Sequence, residues 1–144
     1  MKKLIGLFSI IFLFSCNSQK AFQDYEYSYA KSGGKISAYE NVLIKGNTLR
    51  YFYEKPEEKR KAKINISAEE KQKLKDAIHQ NDLKNIREDY KKIYDNVTKT
   101  IKVKDANQNI FKNNGSGITK EHQQRWDNIV TEFENLINSK NLRK

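Results

Sequence analysis

Asp89, Tyr90, Tyr94 and Asp95 put two carboxylates and two phenols within seven residues, a set of groups able in principle to hold and pass protons. Catalysis needs such groups to converge with matched proton affinities, and no other motif in the chain is spaced to join them. The cluster therefore reads as a polar connection, its tyrosines packed on a sheet and its carboxylates accepting backbone hydrogen bonds in turns. His79 and His122 stand apart, near the end of one expected helix and the start of another. The chain has no H-x-x-x-H, H-E-x-x-H or C-x-x-C spacing, so no metal site is expected. Ser32-Gly33-Gly34 and Gly115-Ser116-Gly117 are too short for a phosphate loop and do not fit G-x-S-x-G, so they read as turns. The expectation is a protein that is not an enzyme and needs no cofactor.

The one thiol has a different chemistry. Met1-Lys2-Lys3 is a positive start, Leu4 to Phe14 is an apolar run of eleven residues, and Cys16 follows Ser15. A membrane-spanning helix needs about 20 apolar residues, so residues 1–15 read as an export signal rather than a permanent span. A thiol placed directly after such a run can be alkylated by a lipid while the run still lies in the membrane. The quartet Leu13-Phe14-Ser15-Cys16 resembles the lipobox of bacterial lipoproteins, with an apolar residue three before the cysteine and a small one just before it.

That resemblance implies that the signal is removed in front of Cys16, that the sulfur carries a diacylglyceryl thioether, and that the new amino group takes a further acyl chain such as palmitate. One chain anchors marginally and two or more anchor stably, so attachment would be lasting. No Asp follows Cys16 in Asn17-Ser18-Gln19-Lys20-Ala21. By resemblance to lipoprotein sorting rules, this implies the outer membrane, facing the periplasm.

The chain has 144 residues with 28 Lys and Arg against 18 Asp and Glu. Loss of residues 1–15 takes Lys2 and Lys3 with it and lowers the formal charge from +10 to +8. After a tether over residues 16–23, one domain over residues 24–144 is expected. With no second cysteine it must hold together by packing alone. A basic surface suits anionic partners, although Lys and Asn are abundant throughout. The densest basic stretch, Lys55 to Lys63 (KPEEKRKAK), contains Glu57-Glu58 and reads as a solvated loop or a strand edge. Nucleic acid is not an expected partner, because an envelope protein rarely meets it.

Tyr25, Tyr27 and Tyr29 alternate with polar residues as in a half-buried strand, which Ser32-Gly33-Gly34 is expected to break. Further strands are expected over Ala38–Lys45 and Thr48–Tyr53, joined by a hairpin at Gly46-Asn47, with Pro56 closing the segment or marking its edge. Ala62–Ile66 alternates again before Ser67-Ala68-Glu69-Glu70, a capping box that should start a helix running to Asn81-Asp82. Leu83, Ile86 and Tyr90 suggest a further turn or a second short helix. Val97–Lys104 and a partner beginning at Ile110-Phe111 follow, then a loop over Asn113–Gly117. A final helix capped by Thr119 carries Trp126, Ile129, Val130, Phe133, Leu136 and Ile137 at threes and fours. The order β-β-β-(β)-α-β-β-α predicts an α+β domain: an antiparallel sheet of five or six strands with one face covered by two helices.

The aromatics Tyr25, Tyr27, Tyr29, Tyr39, Tyr51, Phe52 and Tyr53 cannot all face the core, since strand alternation divides them. Tyr51 and Tyr53 with Lys59, Arg60 and Lys61 are the candidate binding residues, because rings beside lysines resemble protein- or glycan-binding surfaces. The chain as a whole looks like the small α+β lipoproteins of Gram-negative envelopes. The first functional expectation is a non-enzymatic lipoprotein, joined to the membrane through Cys16, whose sheet face or Gly33-Gly34 hairpin engages another envelope protein. The alternative is a module binding anionic glycan or lipid head groups through Lys55–Lys63 and exposed tyrosines.

Overall fold

The computed structural model describes residues 25–34, 37–91, 96–106 and 108–144. The signal over 1–15, Cys16, the tether over 16–23, and Tyr94 and Asp95 lie outside the described residues. Six strands form one antiparallel sheet: β1 (Tyr27–Gly33), β2 (Ala38–Lys45), β3 (Thr48–Lys55), β4 (Glu58–Asn65), β5 (Val97–Lys104) and β6 (Asn109–Asn113). Two helices, α1 (Ala68–Gln80) and α2 (Lys120–Ser139), and a 3-10 turn (Leu83–Asn85) complete it. The strand order is β4-β3-β2-β1-β5-β6, so β1 lies inside the sheet while β4 and β6 form its edges.

Local chemistry explains most of the element ends. Lys45 pairs with Thr48, leaving Gly46 and Asn47 as a two-residue turn whose Gly46 takes φ +55° at the first position, as hairpin twist favours. Lys55 pairs with Glu58, so Pro56-Glu57 is a second tight turn, with proline's fixed φ at its first position and Glu57 at φ +67°. Of the two expectations for Pro56 the structure fits the second: it does not close the segment but turns the chain into β4, the edge strand. That strand, β4, starts at Glu58 rather than near Ala62, and the basic stretch forms the sheet edge. At Ser67 the Oγ accepts from the Glu70 amide while the Glu70 carboxylate accepts from the Ser67 amide, and α1 begins there.

Two further expectations need correction. Ser32 and Gly33 remain paired within β1, opposite Tyr39 and Ala38 on one side and Thr98 and Val97 on the other. The strand persists because Gly33 adopts φ +95° where a Cβ would stand 2.8 Å from the Asn96 carbonyl oxygen. Thr119 does start α2 but makes no cap bond to the helix backbone; its Oγ1 lies 2.8 Å from His122 Nδ1.

The pleat sorts the sheet into two faces. In the central register, Ala62, Tyr51, Val42, Tyr29 and Ile101 lie side by side across five strands. The helices cover this side: Tyr29 stacks on Phe133 with centroids 5.1 Å apart and ring planes 15° apart. All six residues of the expected α2 stripe are buried, as are Leu74 and Ile78 on α1. Each such side chain contributes about 1.5–3 kcal/mol on leaving water, which holds together a sheet without disulfides. Leu83 and Ile86 join this core, whereas Tyr90 is 83% exposed.

Candidate functional site

The opposite face of the sheet carries no helix, and its residues are those of opposite parity along each strand. One row reads Lys63, Arg50, Leu43, Ser28, Lys102, Phe111; the next reads Lys61, Phe52, Asn41, Ala30, Thr100, Asn113. Lys59 and Glu54 begin the row beyond, and Lys45 and Lys104 lie at the other end of β2 and β5. Among the described residues this face presents the cations of Lys45, Arg50, Lys59, Lys61, Lys63, Lys102 and Lys104 against the carboxylate of Glu54, with Glu26 in the row of Lys45 and Lys104 and paired with Lys71 of α1 at 2.5 Å. Glu54 pairs with Lys59 at 2.7 Å. Lys61 and Lys63 make no ion pair among the described residues.

Leu43, only 4% exposed, and Ser28, 5%, lie in the middle of this helix-free side. The aliphatic stems of long basic side chains can cover apolar surface while their charged heads stay in water. Around Leu43 they leave a depression of about 120 Å³ lined by Lys45, Thr48, Arg50 and Lys63. Aromatic rings flank the charge: Phe111 is 54% exposed with the Lys102 ammonium 5.5 Å from its centroid, and Tyr39 is 41% exposed. The Lys104 ammonium lies 5.8 Å from the Tyr25 ring.

The covered face treats its charges differently. Arg143, just beyond α2, donates to both carboxylate oxygens of Glu40, at 2.7 and 2.6 Å, and pairs with Glu134 at 2.5 Å. Tyr51 donates to Glu40 at 2.8 Å and Tyr29 to Glu134 at 2.5 Å. Burial, with these bonds to carboxylates, drives both phenols well above the usual tyrosine range. Burial alone would raise Glu134, but the bonds from Tyr29 and Arg143 outweigh it and hold the carboxyl below its ordinary value. Arg60 contacts Glu58, donates to the Arg143 carbonyl at 2.5 Å and lies 5.5 Å from the Tyr53 ring. Lys55 is 2.6 Å from Glu58, and Lys112 donates to the Ile86 carbonyl.

The five candidate binding residues therefore divide. Lys59 and Lys61 share the open face, while Tyr51, 1% exposed, half-buried Tyr53 and Arg60 belong to the side beneath the helices. Tyr27 and Tyr29 go with them; Tyr39 and Phe52 take the open side. Sequence reasoning included Lys63 through the Lys55–Lys63 stretch but did not join Lys45, Arg50, Lys102 and Lys104 to the site. The signal was present as alternation: Lys59, Lys61 and Lys63 interleave with Arg60, Ala62 and Ile64, and Lys102 and Lys104 interleave with Ile101 and Val103.

The Gly33-Gly34 hairpin borders a cavity of about 430 Å³, with Lys31, Ala38, Glu40, Tyr53, Val97 and Arg143 around it. Its two principal charged walls, Glu40 and Arg143, already satisfy one another. The Asp89 carboxylate forms an ion pair with Lys91 at 2.6 Å, and its amide donates to the Gly117 carbonyl beside the Glu88–Ile118 bridge. Among the described residues no group of three or more His, Cys, Asp or Glu is placed to hold a metal ion, and no helix is long and apolar enough to cross a membrane. No protein-family model and no curated protein matches the chain.

Proposed function

We propose that this is a lipid-anchored, non-enzymatic protein of the cell envelope that binds an anionic partner through the open face of its sheet. The observation that carries this reading is the sorting of charge by strand parity. Beneath the helices Lys31, Lys55, Arg60, Lys112 and Arg143 meet Glu40, Glu58, Glu134 or a carbonyl, whereas on the open side Lys59 pairs with Glu54 and Lys61 and Lys63 make no ion pair among the described residues. With Tyr51 and Tyr53 turned inward, the surface suits charge pairing more than aromatic burial. A protein partner fitting this face is acidic, and a sulfated or phosphorylated glycan meets the same requirement.

Retention on an immobilised sulfated polysaccharide at rising salt tests the binding. Exposed charge contacts are screened within about 10 Å at 0.1 M salt, so release should come early. The variant Lys61→Glu/Lys63→Glu should elute at clearly lower salt than the parent, and Lys75→Glu on α1 should shift it less. Equal elution of the parent and the double variant would remove the open face from consideration. Incorporation of labelled palmitate, lost in Cys16→Ser, tests the anchor.

A further inference from the structure

Resting on that reading, we infer that the anionic partner is the bilayer in which the protein is anchored, and that the domain lies with the open sheet face against anionic lipid head groups. The cations form a plane, not a pocket. Lys61 and Lys63 on β4 stand four strand spacings from Lys102 and Lys104 on β5, roughly 19 Å at about 4.8 Å per step. One phosphate or one sugar cannot span that distance, whereas a surface of repeated charges meets all of it.

The point of chain entry favours the same partner. The Glu26 amide donates to the Ile44 carbonyl and its carbonyl accepts from the Lys104 amide, so the chain joins the sheet at the end bearing Lys45 and Lys104. From Cys16 to Tyr25 is nine residues, a reach of at most about 30 Å. A lipid on Cys16 thus holds the cationic face at millimolar effective concentration over the membrane, and individually weak contacts act together. A short acyl anchor beside a polybasic surface is the combination that anionic leaflets retain, and exposed Phe111 and Tyr39 add rings suited to the head-group level.

The test uses the acylated full chain purified from membranes, with Thr100→Cys on the open face or Gln72→Cys on α1 as the one reactive thiol. Labelling by a water-soluble maleimide is followed in phosphatidylcholine vesicles with and without phosphatidylglycerol. The inference expects Thr100→Cys to react about tenfold more slowly when phosphatidylglycerol is present, to recover at high salt, and Gln72→Cys to be unaffected. Asn109→Cys, on the exposed edge strand, repeats the measurement should the Thr100 change disturb the sheet.

Equal rates in both vesicles, with protection of Thr100→Cys by an added soluble sulfated glycan, would overturn the membrane inference and leave the broader anionic reading standing. Protection by neither would end both. Protection of Gln72→Cys instead would assign the membrane to the wrong face, and a chain that stays off every vesicle would overturn the anchor and the inference with it.

Discussion

Arg143 grips Glu40 with two parallel hydrogen bonds across 103 residues of sequence, fastening the segment after α2 to strand β2. Glu40 is 5% exposed, and the same carboxylate takes the Tyr51 hydroxyl, so its removal strands a guanidinium and a phenol together. Removing one partner of a buried pair costs about 3–5 kcal/mol. Here Arg143 is one-third exposed and keeps Glu134, which lowers the expected loss for Glu40→Ala to about 2–4 kcal/mol. Denaturant unfolding of the single variant measures this. The double variant Glu40→Leu/Arg143→Leu should lose less, since it removes the stranded guanidinium while Glu134 keeps Tyr29 and, at 4.0 Å, Lys31.

The same cluster contributes to the pH dependence of stability at both ends of the range. Glu134 titrates below its ordinary value of 4.5 when folded, so its contribution to stability is complete above that range and fades as pH falls through the lower, folded value. Tyr29 and Tyr51 behave oppositely: folding keeps their protons on, and their contribution is complete below the ordinary value of 10.0 and is lost as pH rises beyond it. Unfolding midpoints measured across pH should fall at both extremes. Glu134→Gln should flatten the acid limb, and phenolate absorbance should show two tyrosines ionising only as the protein unfolds.

Gly33→Ala should be costly although the position lies within a strand. The new methyl would stand 2.8 Å from the Asn96 oxygen on a backbone at φ +95°. Strain of this kind outweighs the unfolded-state advantage of alanine, giving a loss of more than about 1 kcal/mol. Gly46→Ala, with no atom within 4 Å of its added Cβ, meets the strain of φ +55° alone and should lose less. Thermal or denaturant midpoints rank the two.

Arg60 and Lys61 are adjacent in sequence and should separate cleanly by experiment. Arg60→Gln removes contacts to Glu58, the Arg143 carbonyl and the Tyr53 ring, and should lower stability by about 1 kcal/mol with polyanion retention little changed. Lys61→Gln should leave stability within about 0.5 kcal/mol of the parent while weakening retention. Unfolding and retention measured on the same two variants give the comparison; retention lost only in Arg60→Gln would reverse the assignment of faces.

Several elements were legible because their causes are local. The Ser67–Glu70 box starts α1, Val97–Lys104 alternates as β5, and the α2 stripe is buried at every expected position. The site was legible in part: Lys59 and Lys61 lay in a stretch already marked by its charge. Their face could not be read without knowing that Pro56-Glu57 reverses the chain in two residues, because moving the start of β4 by one position exchanges all its neighbours.

Capping, turn residues and periodicity act over a few neighbours, so the identity and approximate extent of the helices and most strands follow from the order of residues alone. The return of β5 beside β1, the reach of Glu40 to Arg143 and the meeting of lysines from separate strands on one uncovered surface emerge at the level of the whole fold. Those relations depend on strand order and on which side the helices take, and these follow from burying one apolar face of the whole sheet, a constraint no short window of residues contains.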